Sequence, residues 1–247
     1  TYKLLDFLDS VSTNKFLNYI AKLKKIDILI NNAGVYGPKG FIEKINWDDW
    51  VKTIKINLFG SVLLCRSVMP YFKKKNKGKI IQLSGGGAAS PIPRISGYAV
   101  SKVGIVRFIE NLSSEVKKYK IDINAVAPGA INTDMLEEVL KAGPKKIGLY
   151  YYNKALKQKK LGGSSFKEAC DLILFLGSKH SNGIKGKLIS ALWDDWKSLP
   201  KFKKILQNSD VYTLRRITTR DRGFKWGQSK KKSIYDLALA PYGTIKK

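Results

Sequence analysis

The sequence predicts an α/β protein, with an open parallel sheet covered by helices on both faces. Short, almost wholly apolar runs alternate with longer segments whose apolar residues recur at helical spacing, the pattern of buried parallel strands joined by helices. Connections of this length form right-handed crossovers and place helices against the sheet. With 44% apolar residues among 247, the chain can bury a sizeable core.

The elements follow in order along the chain. A first helix is predicted over Ser12 to Lys24 and a buried strand over Ile26 to Ile30. Asn46 is a suitable N-cap for a long helix that runs to Phe72. A Lys- and Tyr-rich stretch before Ser165 is expected to be irregular. The remaining predicted elements are the strands Lys79 to Ser84, Ile121 to Ala127 and Lys187 to Ala191, and the helices Ser96 to Lys118 and Ser165 to Gly177.

The C-terminal part differs in composition from the rest. Residues 200–247 have a net charge of +10, against +17 over the preceding 199 residues. We therefore expect an α/β domain over residues 1–199 and a basic C-terminal extension over residues 200–247.

The net charge of +27 requires nucleic acid to be considered as a partner. Of the 46 basic residues 39 are lysines, spread along the chain together with many Ile, Asn and Tyr, as an AT-rich coding sequence would produce. Proteins that read nucleic acid favour Arg and concentrate their charge. The alternative interpretation is a non-catalytic basic scaffold that binds an anionic partner through the tail. That tail contains Arg215, Arg216, Arg220, Arg222 and Lys230 to Lys232, interleaved with Tyr212, Phe224 and Trp226.

Cysteine and histidine usage excludes several classes of site. Cys65 and Cys170 are far from CxxC spacing and from His180, the only histidine. This pattern argues against a disulfide framework, a Cys/His metal site and a Ser-His-Asp or Cys-His triad. We expect no metal. Since no apolar run reaches eighteen residues and no secretory signal is visible, we expect a cytoplasmic protein without a membrane partner.

A Tyr and a Lys four residues apart on a helix lie on one face, where the ammonium is expected to lower the pKa of the phenol towards neutrality. Only Tyr98 and Lys102 have a serine nearby at a strand end, because Ser84 follows a buried strand. Ligands of open parallel sheets bind at such carboxyl ends. The four pairs with this spacing are Tyr71/Lys75, Tyr98/Lys102, Tyr150/Lys154 and Tyr242/Lys246.

Five motifs occur in the order and spacing of the short-chain dehydrogenase/reductase family. The chain resembles this family over roughly residues 1–191, which implies a Rossmann-like, doubly wound sheet. The motifs are Ile28 to Gly34, Ile56 to Gly60, Lys79 to Ser84, Tyr98 to Lys102 and Asn124 to Thr133.

The resemblance implies hydride transfer between NAD or NADP and an alcohol or carbonyl substrate. Tyr98 would be the general acid/base, and Lys102 would lower its pKa and bind the nicotinamide ribose. Ser84 would hold the reacting oxygen, and Asn57 would anchor a water in the proton relay. The implied cofactor-binding residues also include Asp6 near the adenine, Asn31, Ala33 and Gly34 near the adenosine ribose, and Pro128, Gly129, Ile131 and Thr133 around the nicotinamide.

The resemblance also implies a homodimer or homotetramer, assembled through the helices from Asn46 to Phe72 and from Ser96 to Lys118. The segment from Asp210 to Gly227 is similar to an extension of members encoded beside surface-polysaccharide genes, which suggests a sugar-nucleotide substrate.

Three departures from the family pattern stand out. The family often has a catalytic serine thirteen residues before its tyrosine, where this chain has Gly85, so Ser84 would act through a loop one residue longer. The end of the last strand, from Ala191 to Trp196, lacks the usual small residues. The third departure is that the strand, TGxxxGxG turn and helix that open the family fold are missing. We therefore expect an N-terminally incomplete sheet, whose first strand lies near Tyr2 to Phe7. We also expect impaired cofactor binding, because the turn and helix would bind the pyrophosphate.

Overall fold

The computed structural model describes residues 2–227 and contains a parallel sheet. Its strands lie side by side in chain order. The four strands predicted between Ile26 and Ala191 are therefore confirmed, with boundaries that differ by two residues at most. In the described part of the chain the strands are β1 (Ile28–Asn31), β2 (Gly78–Leu83), β3 (Ile121–Ala127) and β4 (Leu188–Ser190).

Helices cover both faces of this sheet, as the alternating pattern predicts. Ile80 and Ile81 are adjacent on β2, yet Ile80 belongs to the core beneath one helical layer and Ile81 to the core beneath the other. This alternation places apolar side chains of β2 on both faces of the sheet. The helices of residues 2–227 are α1 (Ser10–Ala21), α2 (Trp47–Ile54), α3 (Ser61–Lys75), α4 (Ser96–Glu115), α5 (Asp134–Ile147), α6 (Leu149–Leu161), α7 (Phe166–Gly177) and α8 (Lys203–Gln207).

The helix predicted from Asn46 to Phe72 is interrupted once. The Asn46 side chain caps it as expected, because its Oδ1 accepts a hydrogen bond from the Asp49 amide at 2.9 Å. One π-helical turn, Lys55–Gly60, separates α2 from α3. Such turns add a residue to a helix and occur frequently at functional sites.

The stretch before Ser165 was expected to be irregular, and this expectation is wrong. It forms α5 and α6, which pack over the N-terminal end of α4 through a small apolar core. The helical period is obscured in the sequence because Gly143, with φ +73°, and Pro144 break α5 near its end. These helices cover the part of the sheet edge where Tyr98 lies.

The expected first strand, near Tyr2 to Phe7, is not formed. The segment has no strand pairing. Asp6 instead builds a turn in which its Oδ1 accepts a hydrogen bond from the Leu8 amide at 2.8 Å. Among the described residues β1 pairs only with β2, and Ile28 and Ile30 are 42% and 49% exposed. The free edge of β1 is therefore apolar.

The C-terminal strap, residues 208–216, runs along the other edge of the sheet. The Leu188 amide donates to the Tyr212 carbonyl at 2.8 Å. Lys187, which is buried, donates its Nζ to the carbonyls of Ser209 at 3.0 Å and Val211 at 2.7 Å. The Leu214 amide donates a hydrogen bond to the Glu110 carboxylate at 2.7 Å. Lys230 to Lys232 and the Tyr242/Lys246 pair lie outside the described residues.

No helix in residues 2–227 is both long and apolar enough to cross a lipid bilayer.

Candidate active site

Ser84, Tyr98 and Lys102 are brought together at the carboxyl end of the sheet. Ser84 directly follows β2, Tyr98 lies in the first turn of α4 and Lys102 lies one turn further on. All three are buried, at 5%, 8% and 4% exposure. The other described Tyr/Lys pairs lie elsewhere, on α3 and α6, and Tyr150 is 82% exposed.

Ser84 has a fixed backbone and an uncommitted hydroxyl. Its amide donates to the Val126 carbonyl at 2.8 Å, which continues the pairing of β2 with β3. Its Oγ is buried and has no hydrogen-bond partner among the described residues. Since a buried polar atom without a partner is costly, this hydroxyl is suited to an incoming oxygen.

The Tyr98 phenol lies beside the Gly85 backbone and the ring of Tyr36. A side chain at Gly85 would clash with the Tyr98 hydroxyl. The Tyr36 ring meets the Tyr98 ring edge-on, with 4.7 Å between centroids. Burial and then the neighbouring Tyr151 raise the pKa of Tyr98 to about 12. The expected lowering of this pKa is therefore not found in the protein alone, where desolvation by burial is the largest cause.

Lys102 lies close to the phenol without a hydrogen bond to it. Its Nζ is 5.5 Å from the Tyr98 ring centroid and donates to the Leu83 carbonyl at 3.1 Å. Burial lowers the pKa of Lys102 to about 8. The bare backbone of Gly34 faces the same ammonium, since a Cβ there would lie 3.4 Å from the Nζ.

Asn57 is fully buried in the π-helical turn and holds the chain that follows β1. Its Oδ1 accepts from the Val35 amide and its Nδ2 donates to the Val35 carbonyl, both at 2.8 Å. The Nδ2 also donates to Ser101 Oγ at 3.0 Å. Its side chain thus fixes the Gly34 region against α4, and both hydrogens of its Nδ2 are used in these bonds.

Two of the expected adenosine-side residues, Asn31 and Ala33, line a cleft of about 360 Å³. Asn31 and Ala33 line one side, and Leu5 and Phe7, the neighbours of Asp6, line the other. Asn31 donates its Nδ2 to the Ser61 carbonyl at 3.3 Å, while its buried Oδ1 has no partner in the described part of the chain. The Asp6 side chain itself is used in the local turn.

The loop from Pro128 to Thr133 leaves the end of β3 and leads into α5. Gly129 has φ +94°, a conformation that favours glycine. Sequence reasoning missed two residues that hold this loop. Ser164 exchanges hydrogen bonds with Ala130 at 3.0 and 2.9 Å, and Gln158 Nε2 donates to the Ile131 carbonyl at 3.3 Å. Thr133 stands at the N-terminus of α5.

Tyr36 and Tyr151 are the aromatic neighbours of Tyr98 that sequence reasoning missed. Tyr36 lies two residues after the Ile28 to Gly34 motif, so its position along the chain was a usable signal, whereas Tyr151 comes from the stretch expected to be irregular. Both pack in the core that joins α5 and α6 to α4.

Cys65, Cys170 and His180 lie in different environments. Cys65 is buried in the core, and burial raises the pKa of its thiol to about 12. His180 is exposed in a short turn. Within residues 2–227 no three His, Cys, Asp or Glu side chains gather closely enough to hold a metal ion.

This arrangement, a parallel α/β sheet with Ser, Tyr and Lys at its carboxyl edge, defines a Rossmann-like oxidoreductase architecture. Residues 2–143 match the family model described as short chain dehydrogenase. The chain belongs to the short-chain dehydrogenase/reductase family.

Curated relatives agree with this assignment. The 3-oxoacyl-[acyl-carrier-protein] reductase FabG of Thermotoga maritima is 32% identical over 171 residues, which are 69% of this chain and 66% of the relative. The uncharacterized oxidoreductase YusZ of Bacillus subtilis is 30% identical over 220 residues, 81% of this chain and 78% of the relative. This chain thus spans about two thirds to four fifths of these relatives.

Solved structures share the fold. A gluconate 5-dehydrogenase from Burkholderia cenocepacia in complex with NADP and tartrate superposes with a TM-score of 0.65 and 22% identity, over 76% of this chain and 72% of the other. An NAD+-bound xylitol dehydrogenase gives a TM-score of 0.66 and 22% identity, over 75% of both chains.

Proposed function

We propose that the protein is an NAD- or NADP-dependent oxidoreductase acting on an alcohol or carbonyl substrate. The observation that carries this proposal is the buried Ser84 hydroxyl, which has no hydrogen-bond partner among the described residues. The Tyr98 hydroxyl lies against the backbone of Gly85, the residue that follows Ser84. Two hydroxyl groups are thereby presented to one substrate oxygen. Family membership supports the same reaction class.

The roles of the residues follow from their positions. Tyr98 transfers a proton to or from the substrate oxygen, and Ser84 holds that oxygen by a hydrogen bond. Lys102 places a positive charge beside the phenol and stabilises its ionised form during the transfer. Asn57 keeps the Gly34 region in place through Val35, and its proposed part in the proton relay is to anchor a water.

The cofactor-binding residues fit one dinucleotide. Gly34 leaves open backbone beside Lys102, and Asn31 presents a buried oxygen without a described partner next to the cleft. Lys102, with Pro128, Gly129, Ile131 and Thr133, would hold the nicotinamide end, and Asp6, Asn31, Ala33 and Gly34 the adenosine end. When bound, NAD or NADP donates or accepts the hydride.

The pyrophosphate has no equivalent support in residues 2–227, since no glycine-rich turn opens a helix beside this cleft. We therefore propose that the 247-residue chain binds dinucleotides weakly. Isothermal titration calorimetry should give a Kd well above the micromolar range. Adding a preceding strand, TGxxxGxG turn and helix at the free edge of β1 should tighten it. Micromolar affinity of the unextended chain would contradict this proposal.

The substrate class is proposed as a sugar nucleotide on the similarity of the Asp210 to Gly227 segment alone. A panel that contrasts sugar nucleotides with acyl thioesters and simple polyols would decide it. Turnover of acyl thioesters or simple polyols without turnover of any sugar nucleotide would exclude a sugar-nucleotide substrate.

A subunit interface is proposed on α3 and α4 and the π-helical turn between α2 and α3. Exposed apolar side chains, including Phe59, Val100 and Val103, lie on these elements. Covering them in a homodimer or homotetramer would bury this surface.

Tyr98→Phe tests the reaction. In a preparation with measurable turnover, Tyr98→Phe should lower kcat by about 100-fold or more, because the proton donor is removed. Tyr150→Phe is the matched control, since Tyr150 has the same spacing to a lysine and is exposed. Equal activity of Tyr98→Phe and the unmodified protein would exclude this assignment and return the basic scaffold as the leading alternative.

A further inference from the structure

The backbone conformation of Gly85 does not require glycine. Its φ of −178° and ψ of 175° describe extended chain that any residue adopts. What Gly85 lacks is space for a side chain. A Cβ there would clash with the Tyr98 hydroxyl oxygen and lie 3.1 Å from Tyr98 Cζ. The absence of a side chain at Gly85 therefore makes room for the phenol.

A second contact fixes the ring of the same tyrosine. Tyr36 meets Tyr98 edge-on, at an interplanar angle of 65°. Edge-to-face pairs are favourable and directional. Asn57 binds the amide and the carbonyl of Val35, the residue before Tyr36. The backbone from which the Tyr36 ring extends is therefore fixed.

We propose that Gly85 and Tyr36 are positioning residues that hold the Tyr98 phenol beside Ser84. Gly85 determines how deeply the hydroxyl lies, and the Tyr36 ring determines the orientation of the phenol plane. This inference rests on the proposed function for its catalytic consequence, while the placement of the phenol is independent of turnover.

Gly85→Ala tests the first contact, and Gly86→Ala is its matched control. A Cβ at Gly86 has open space, with its nearest neighbour, Ile92 Cδ1, 4.0 Å away. We expect Gly85→Ala to lower kcat by about 100-fold, because misplacement of about 1 Å has effects of that size. The KM for the dinucleotide should stay within about twofold, and Gly86→Ala should change neither. Gly85→Ala or Gly85→Ser with activity equal to Gly86→Ala would overturn the proposal.

Tyr36→Phe and Tyr36→Ala separate the ring from its hydroxyl. The ring makes the contact with Tyr98, so Tyr36→Phe should retain kcat within about threefold while Tyr36→Ala loses at least about tenfold. Equal loss in both variants would contradict a positioning role for the ring.

Placement of the phenol is measured without turnover by fluorine-19 NMR on protein labelled with 3-fluorotyrosine. Tyr98→Phe assigns the signal. Gly85→Ala should shift it and Gly86→Ala should not. If this shift occurs but no alcohol or carbonyl is turned over, the positioning stands and the proposed function fails. An unmoved Tyr98 signal in Gly85→Ala overturns the positioning whatever the activity.

Discussion

The ammonium of Lys102 donates a hydrogen bond to the Leu83 carbonyl at 3.1 Å, one residue before Ser84. The lysine is thus anchored to the same strand end that presents the serine. Because burial removes water from the ammonium, the charged form is destabilised and the pKa of Lys102 is lowered to about 8.

Replacing Lys102 with an uncharged side chain should lower activity and increase the stability of the fold. Below pH 8 the folded protein bears the full cost of the buried charge, so Lys102→Met should raise the free energy of unfolding at pH 7 by about 1–3 kcal/mol. Between pH 8 and about 10.5 the unfolded chain binds the proton that the folded protein has lost. The unmodified protein therefore gains stability with rising pH, and the advantage of the variant shrinks.

Urea unfolding at several pH values measures this difference. Lys154→Met, at an exposed position on α6, is the control and should show no such pH-dependent gain. A Lys102→Met advantage that is constant from pH 7 to 10.5 would count against a desolvated ammonium.

Asn57→Ala should destabilise the protein by about 2–4 kcal/mol. The change removes both bonds to Val35 and the bond to Ser101, and it leaves buried backbone groups unpaired. Chemical denaturation measures the loss. Asn14→Ala, at an exposed position on α1, should stay within about 0.5 kcal/mol. Similar values for the two variants would show that the clamp on Val35 contributes little.

Lys187→Met should loosen the C-terminal strap. Its ammonium satisfies the carbonyls of Ser209 and Val211, and a thioether cannot donate to them. Trypsin should then cleave after Arg215 or Arg216 faster than in the unmodified protein. Lys201→Met, at an exposed position, should leave the cleavage rate unchanged. Unchanged proteolysis of Lys187→Met would mean that the strap is held by its other contacts.

A charge in the proposed interface should dissociate the oligomer. Val103→Glu on α4 places a carboxylate where we expect a second subunit, and Leu174→Glu on α7 introduces the same charge at another exposed apolar site. Sedimentation velocity should show smaller species for Val103→Glu alone. A monomer mass for the unmodified protein at all concentrations would refute the interface.

The sequence was sufficient for β1 to β4 because each is a short, largely apolar segment between longer helical ones, and Ile121–Ala127 is predicted to the residue. It was insufficient for α5 and α6, where lysines and tyrosines hide the helical period and Gly143 and Pro144 interrupt it. The closeness of Ser84, Tyr98 and Lys102 was predictable from their positions at one sheet edge. The contacts of Tyr98 with Tyr36 and Gly85 depend on tertiary packing, which spacing along a chain does not encode.

The alternation of Ile80 and Ile81 between opposite cores limits where this chain tolerates insertions during evolution. One extra residue within β2 would turn each later side chain of the strand towards the wrong layer. An insertion can be accepted only after Leu83, in the segment of Gly85, Gly86 and Gly87 that leads to α4. The proposed role of Ser84, which acts through a loop one residue longer than the common family spacing, requires length variation only in this segment.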